Sequence, residues 1–263
     1  MNELIDDPQL VADLAAQAMA EPEKVIVTVP PSASEVELPG GLITVGGSLI
    51  KYAEIRELNG ADEEAIAKSG STARALNTIL QRGLVSLGGM PVNPSNFDDL
   101  LMGDRDMLLL AIRKITFGNT VNLRMSCRSC YIQNDIEVDL EKDVKIVYLN
   151  DPLDRRFTVD LKSGTAEVSL PNGVTHKKLI DNADKTASEI TTIIIASCLT
   201  EVNGEFSYGT STALSLGILD REKIVTEIYS RTPGPRLGEV SKACEACGAS
   251  IAIPLGLADL FRL

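Results

Sequence analysis

Cys127-Arg128-Ser129-Cys130 and Cys244-Glu245-Ala246-Cys247 hold four of the five cysteines in the chain. Each pair stands between two runs of strand character. Thr120–Met125 leads into the first, and Ile132–Leu140 leads out, with Ile136, Val138 and Leu140 on one face. A strand leads to Cys244, and Ser250–Leu255 returns. A strand–turn–strand with two cysteines in the turn is half of a zinc-ribbon site, and four thiolates supply the soft tetrahedral donor set that zinc takes. The expectation is one structural zinc site made by Cys127, Cys130, Cys244 and Cys247. Gly248 suits the positive-φ position that follows such a turn, whereas Tyr131 at the matching place weakens the first pair. Two other readings of the same residues stand beside this one: buried cysteines without a metal, and a redox-active pair. Thioredoxin-like chemistry wants the pair at a helix N-terminus, but strand-like sequence follows both pairs here. A filled four-thiolate shell also leaves no position for a catalytic water. Cys198 sits in an apolar helical run and reads as core.

The order of elements explains why the two pairs lie so far apart. In the first half a strand, Ile50–Leu58, ends in Asn59-Gly60. A helical patch opens at Asp62-Glu63-Glu64, and Ser71 caps a helix carrying Leu76, Ile79, Leu80 and Leu84, broken at Gly88-Gly89. Gly103-Asp104-Arg105-Asp106 then starts a helix through Ile115 that Gly118 stops. In the second half the strands Phe157–Leu161 and Ala166–Leu170 lead to Asn172-Gly173 and a helical patch, His176–Asn182. Thr186 and Glu189 fit a capping box for the helix Ile190–Leu199, which Asn203-Gly204 breaks. Asp220-Arg221-Glu222 starts a helix through Tyr229, and Pro233-Gly234-Pro235 stops it. Gly60 to Gly173, Asp104 to Asp220 and Cys127 to Cys244 are separated by 113, 116 and 117 positions. Such self-similarity implies two like modules. The expected fold is α+β: two pseudo-repeated modules over 38–150 and 151–263, each of helices plus a zinc-ribbon-like hairpin. An N-terminal arm over 1–37 precedes them. If each module contributes one cysteine pair, the metal staples the two together.

Within the arm, Asp7 and Pro8 open an amphipathic helix with Leu10, Val11, Leu14, Ala15 and Ala18 on one stripe. Residues 24–50 read as loop-rich extended chain with short strand runs at Val25–Val29 and Leu42–Val45. The 263 residues carry a formal charge of −12, with no polybasic cluster, which speaks against binding nucleic acid through phosphates. The start lacks a basic region followed by an apolar one, and the apolar windows are shorter than the ~20 residues of a membrane span. The expectation is a reducing cytosol, where spaced cysteines serve as metal ligands more often than as disulfides. His176, the only histidine, lies in Thr-His-Lys-Lys and reads as solvated. The acidic runs Asp62–Glu64 and Asp104–Asp106 read as helix starts. No nucleophile elbow, phosphate loop or dinucleotide fingerprint is present, so no catalytic residue is expected.

Glu57-Leu58-Asn59-Gly60-Ala61-Asp62-Glu63-Glu64, the helix from Gly103-Asp104-Arg105-Asp106-Met107-Leu108-Leu109, the first Cys-x-x-Cys hairpin, Cys244-x-x-Cys247-Gly248 and Asp259-Leu260-Phe261-Arg262 follow one another in order. This succession resembles the baseplate hub and hub-assembly proteins of tailed bacteriophages, related to the T-even baseplate hub subunit, over roughly residues 38–263. The resemblance implies a non-enzymatic protein of the virion tail baseplate, present in the host cytoplasm during assembly. Its partners would be other baseplate, hub or tape-measure proteins, with homo-oligomeric contacts within the tail assembly, and neither nucleic acid nor membrane. A zinc-ribbon adaptor of cellular origin and a thiol redox protein are the alternatives.

Overall fold

The computed structural model describes residues 34–261. The expected helix within 1–20 and the strand run Val25–Val29 lie outside the described residues. The chain combines helices with antiparallel sheet, as an α+β protein does.

The first half runs β1 (Glu35–Ile43), β2 (Leu49–Ile55), α1 (Gly60–Ala67), α2 (Thr72–Gly83), β3 (Leu84–Leu87), β4 (Met90–Pro91), α3 (Pro94–Asp99), α4 (Met102–Phe117), β5 (Thr120–Ser126) and β6 (Gln133–Asp139). The second runs β7 (Ile146–Val147), β8 (Arg156–Leu161), β9 (Gly164–Ser169), α5 (Gly173–Asp181), α6 (Ala187–Cys198), β10 (Leu199–Val202), β11 (Glu205–Phe206), α7 (Thr210–Ser215), α8 (Ile218–Arg231), β12 (Gly234–Pro235), β13 (Ser241–Ala243), β14 (Ser250–Ala252) and α9 (Leu257–Leu260). One four-stranded antiparallel sheet has the order β1-β2-β3-β4, and another has β11-β10-β9-β8. Hairpins β5–β6 and β13–β14 stand apart from both, and β7 pairs with β12.

The helix starts form where their caps require them. Asn59 accepts from the Ala61 and Asp62 amides while Asp62 accepts from the Asn59 amide. Ser71 caps α2, and Thr186 and Glu189 make a reciprocal capping box on α6. Each such cap contributes about 1 kcal/mol. The acidic runs at Asp62 and Asp104 do lie in first turns. Asp62 does more: it is buried, and Arg56 and Arg82 both pair with it. The Arg56 guanidinium holds its carboxyl well below the usual range.

Two local readings need correction. Residues 35–43, read as loop-rich, form β1, whose register breaks between Glu37 and Leu42 at the Pro39-Gly40-Gly41 bulge. Gly88-Gly89 and Asn203-Gly204 do more than stop helices. Both residues of each pair have positive φ and turn the hairpins β3–β4 and β10–β11. Leu84 and Leu199 therefore leave the helices assigned to them and start strands.

Three apolar clusters form the interior. Leu42, Ile79, Leu80, Leu87, Leu108 and Ile112 fill the first, beneath the first sheet. Val159, Val168, Ile195, Cys198 and Ile224 belong to the second sheet's core. Leu110, Ile136, Val138, Leu140, Val240, Ile251 and Ile253 make a third, shared by both halves. Each fully buried Leu or Ile contributes about 2 kcal/mol. Helix α4 serves all three clusters: Leu108, Leu109 and Ile112 enter the first, Leu110 the third, and its N-cap Leu101 the second. It therefore buries several sides, Asp104 and Arg105 included. Gly103 permits the closest approach, since a Cβ there would lie 1.4 Å from the Pro233 carbonyl oxygen.

Candidate metal centre and the seam around it

In the first hairpin seven residue pairs align antiparallel between β5 and β6, from Thr120↔Asp139 to Ser126↔Gln133, leaving Cys127–Ile132 as the turn. In the second, Ser241–Ala243 pairs with Ser250–Ala252, leaving Cys244–Ala249. The two turns close identically. Cys127 donates its amide to Ile132 (2.9 Å), and Tyr131 donates to Cys127 (2.9 Å). Cys244 donates to Ala249 (2.8 Å), and Gly248 donates to Cys244 (2.8 Å). Tyr131 has φ 62° and Gly248 φ 71°. The missing glycine therefore leaves the turn's shape unchanged, and Tyr131 takes the left-handed conformation at a cost, its ring exposed.

The hairpins bring all four predicted cysteines together. Their Sγ atoms lie within 4.8 Å of one another, with Cys127–Cys247 and Cys130–Cys244 each 3.7 Å apart. Both short contacts join one hairpin to the other. A tetrahedron with metal–sulfur bonds of about 2.3 Å has edges of about 3.8 Å, so these separations suit four sulfurs around one ion. None of the four is in a disulfide. Cys127 and Cys244 are buried, Cys130 is half-buried and Cys247 is exposed. Four soft donors at this spacing could hold a metal ion.

The local field favours thiolates, up to a limit. The backbone amides of Cys130 and Ser129 lower the Cys127 thiol. The amide of Cys247, aided by that of Ala246, lowers Cys244 to about 6. The Ala249 amide favours the Cys247 thiolate too, but the sulfurs of Cys130, Cys244 and Cys127 outweigh it and push Cys247 to about 12. Negative charge gathers at one point, and a bound cation would relieve it.

Sequence reasoning missed the groups that lock the two hairpins together. Asn134, on β6 and 4% exposed, accepts from the Glu245 amide (3.0 Å) and donates to the Ile132 carbonyl (2.9 Å). Lys242 on β13 lies 2.6 Å from Asp143. A buried Asn two residues after the turn was the only available signal. Arg113 donates to the Leu260 carbonyl (2.6 Å), tying α4 to α9.

Elsewhere the structure places the remaining candidates. Cys198 is buried, its thiol pushed up to about 12 by burial, as a core residue requires. His176 is not a solvated surface residue. It is half-buried, and its Nδ1 accepts from Arg105 Nε (3.2 Å). Burial and the Arg105 charge lower its pKa to about 4, so it is neutral at pH 7.

The starts of α4 and α8 are held by similar hydrogen bonds. Arg105 donates to the Phe97 carbonyl and to Asn77 Oδ1; Arg221 donates to the Ala213 carbonyl and to Thr192 Oγ1. Each carbonyl lies eight residues before its arginine. Asp104 accepts from the Gly40 amide (2.6 Å), and Asp220 from the Lys162 amide (2.7 Å). The pairs part company in charge. Asp220 also accepts from Ser163 Oγ, and the Lys162 and Ser163 bonds lower its pKa. Asp104 Oδ2 is buried without a hydrogen-bond partner, and burial raises Asp104 to about 7.

Among the described residues, no helix is long and apolar enough to cross a membrane. No curated protein and no solved structure matches the chain significantly. Residues 54–205 match the family model described as T4 bacteriophage base plate protein, a span that holds Cys127 and Cys130 and stops short of Cys244. That match covers more than half of the sequence, and the chain belongs to the T4 bacteriophage base plate protein family.

Proposed function

We propose that this chain is a non-enzymatic structural or assembly component of the hub region of a phage tail baseplate, stapled internally by one zinc ion. The family match over residues 54–205 carries the baseplate role, and membership implies contacts with other phage tail proteins and a place in the virion tail. Within that setting the partners are other baseplate, hub or tape-measure proteins, met first in the host cytoplasm during assembly.

Cys127, Cys130, Cys244 and Cys247 would hold the zinc. It would supply a closed four-thiolate shell, and so a cross-link rather than a Lewis acid. The converging sulfurs support this reading. We further read 38–150 and 151–263 as two copies of one module after an arm over 1–37. The matched element order, the same sequential strand order in the two four-stranded sheets (β1-β2-β3-β4 and β8-β9-β10-β11) and the parallel roles of Arg105 and Arg221 favour it.

Two measurements test these readings. Metal analysis of the purified protein should find about one zinc per chain, with four thiols becoming reactive on chelation. Much less zinc, with all four thiols already free, would reject the staple. Mass spectrometry of purified particles and of assembly intermediates should find the chain in one or both. Absence from both would reject the baseplate role.

A further inference from the structure

We infer that the α7–α8 corner of one copy receives the Asn59-Gly60 turn of a second copy, so that the chain associates head to tail. The inference rests on the two-module reading above. Its template is the contact between modules within the chain. There the α3–α4 corner grips the turn that starts α5. Met102 donates its amide to the Pro171 carbonyl (2.9 Å), and Gly173 donates to the Leu100 carbonyl (2.9 Å). The fit is tight: a Cβ on Gly173 would lie 2.8 Å from the Asp98 Cα. Lys177 adds an ion pair with Asp98 at 2.6 Å.

Each side of this contact has a counterpart that nothing covers among the described residues. Leu100, Leu101, Met102 and Gly103 correspond to Leu216, Gly217, Ile218 and Leu219, counted from the aligned Asp104 and Asp220. Met102, which bonds the turn, is half-buried, whereas its counterpart Ile218 is 76% exposed, with Leu219 beside it 66% exposed. Leu214, Phe206 and Tyr208 nearby in sequence are also more than half exposed. Ile218 and Leu219, adjacent and exposed at the start of α8, offer an apolar surface for a partner. The gripped turn Asn172-Gly173 corresponds to Asn59-Gly60, which has the same Asn cap and is exposed. A Cβ on Gly60 would meet nothing within 4 Å.

One corner without a turn and one turn without a corner are the two halves of a heterologous interface, in which different patches of the same chain meet. The charges agree. Lys177 corresponds to Glu64, and its partner Asp98 corresponds to Leu214. Glu64 of the second copy would therefore face an apolar side chain instead of a like-charged carboxylate. Because each chain carries −12, association through this apolar contact should strengthen as salt screens the repulsion.

Sedimentation velocity on the full chain, in rising concentration and two salt strengths, tests this. Wild type should form species larger than a monomer, more so in salt. Ile218→Asp and Gly60→Val each should weaken that association by about tenfold or more, with melting temperature and metal content unchanged. An equimolar mixture of Ile218→Asp and Gly60→Val should form a dimer, because each retains the patch the other lacks. A monomeric wild type, unaffected association in either variant, or a mixture that stays monomeric would overturn the inference, as would association only with a different baseplate protein. An experimental structure of the Ile218→Asp monomer, in which residues 38–150 and 151–263 either superpose or do not, separates a failure of this contact from a failure of the two-module reading.

Discussion

The two cysteine knuckles share their backbone hydrogen bonds and their left-handed residue, yet differ at every position between and just after the sulfurs. Tyr131 and Gly248 adopt nearly the same φ, although only glycine does so freely. The surrounding hairpin imposes the shape, and the local residue bears the cost. The same contrast recurs at the two aspartates. Asp104 and Asp220 each accept from a backbone amide at the start of a helix, yet one has a buried oxygen without a partner and the other is satisfied by Lys162 and Ser163. Equivalent geometry thus coexists with unequal energetics, and that inequality can be measured.

The largest effect should come from cutting either half of the sulfur cluster. Cys127→Ser and Cys244→Ser should each abolish stoichiometric metal binding and cost more than about 3 kcal/mol in denaturant unfolding. Equal losses would confirm that the knuckles are interchangeable halves; metal retention by either variant would break the comparison.

The aspartates come next. Asp104 has a folded pKa of about 7, above its unfolded value, so its contribution is complete below about pH 4 and lost as pH rises through 7. Asp220 is shifted the other way, so its contribution is present above about pH 4 and lost below it. Asp104→Asn should remove from the wild-type profile between pH 4 and 7 a downward slope that approaches roughly 1.4 kcal/mol per unit. Asp220→Asn should leave that window alone. Denaturant midpoints across pH give both profiles, and identical profiles for the two variants would contradict the distinction.

Asn134 belongs to one knuckle only. Asn134→Ala strips the acceptor from the Glu245 amide and should cost about 1–3 kcal/mol. It should also speed metal loss to a chelator, followed by a colorimetric indicator. The smallest effect concerns the turn itself. Tyr131→Gly should stabilise by about 0.5–1 kcal/mol, and Gly248→Tyr should destabilise by a similar amount. A thermal scan of both would reverse the difference between the knuckles.

The features legible in the sequence were those written in contiguous residues. Asn59, Ser71 and Thr186 announce helix starts because capping is a local hydrogen bond. The four cysteines announce a cluster because few other arrangements explain two such turns between strands. What stayed hidden depends on distant partners. Strand β1 contains Pro39-Gly40-Gly41, which reads as loop until Asp104 and Arg155 supply the bulge's hydrogen bonds. β3 and β10 are four residues each and continue directly from helices, so their apolar residues blend into the helical pattern. His176 looked solvated because its neighbours are lysines, while the residue that buries it, Arg105, lies 71 positions away.

The short sulfur contacts span 114 and 120 residues of chain, which bears on the order of events during synthesis. Chains emerge N-terminus first, at about 5–20 residues per second. Cys127 and Cys130 therefore leave the ribosome well before their partners exist. For that interval they can offer an ion only half a shell, and the third apolar cluster lacks Val240, Ile251 and Ile253. A chain interrupted before Cys244 lacks half of the sulfur cluster and cannot close the seam. Closure of the sulfur cluster thus records that Cys247 has been made, so truncated products remain distinguishable from finished ones.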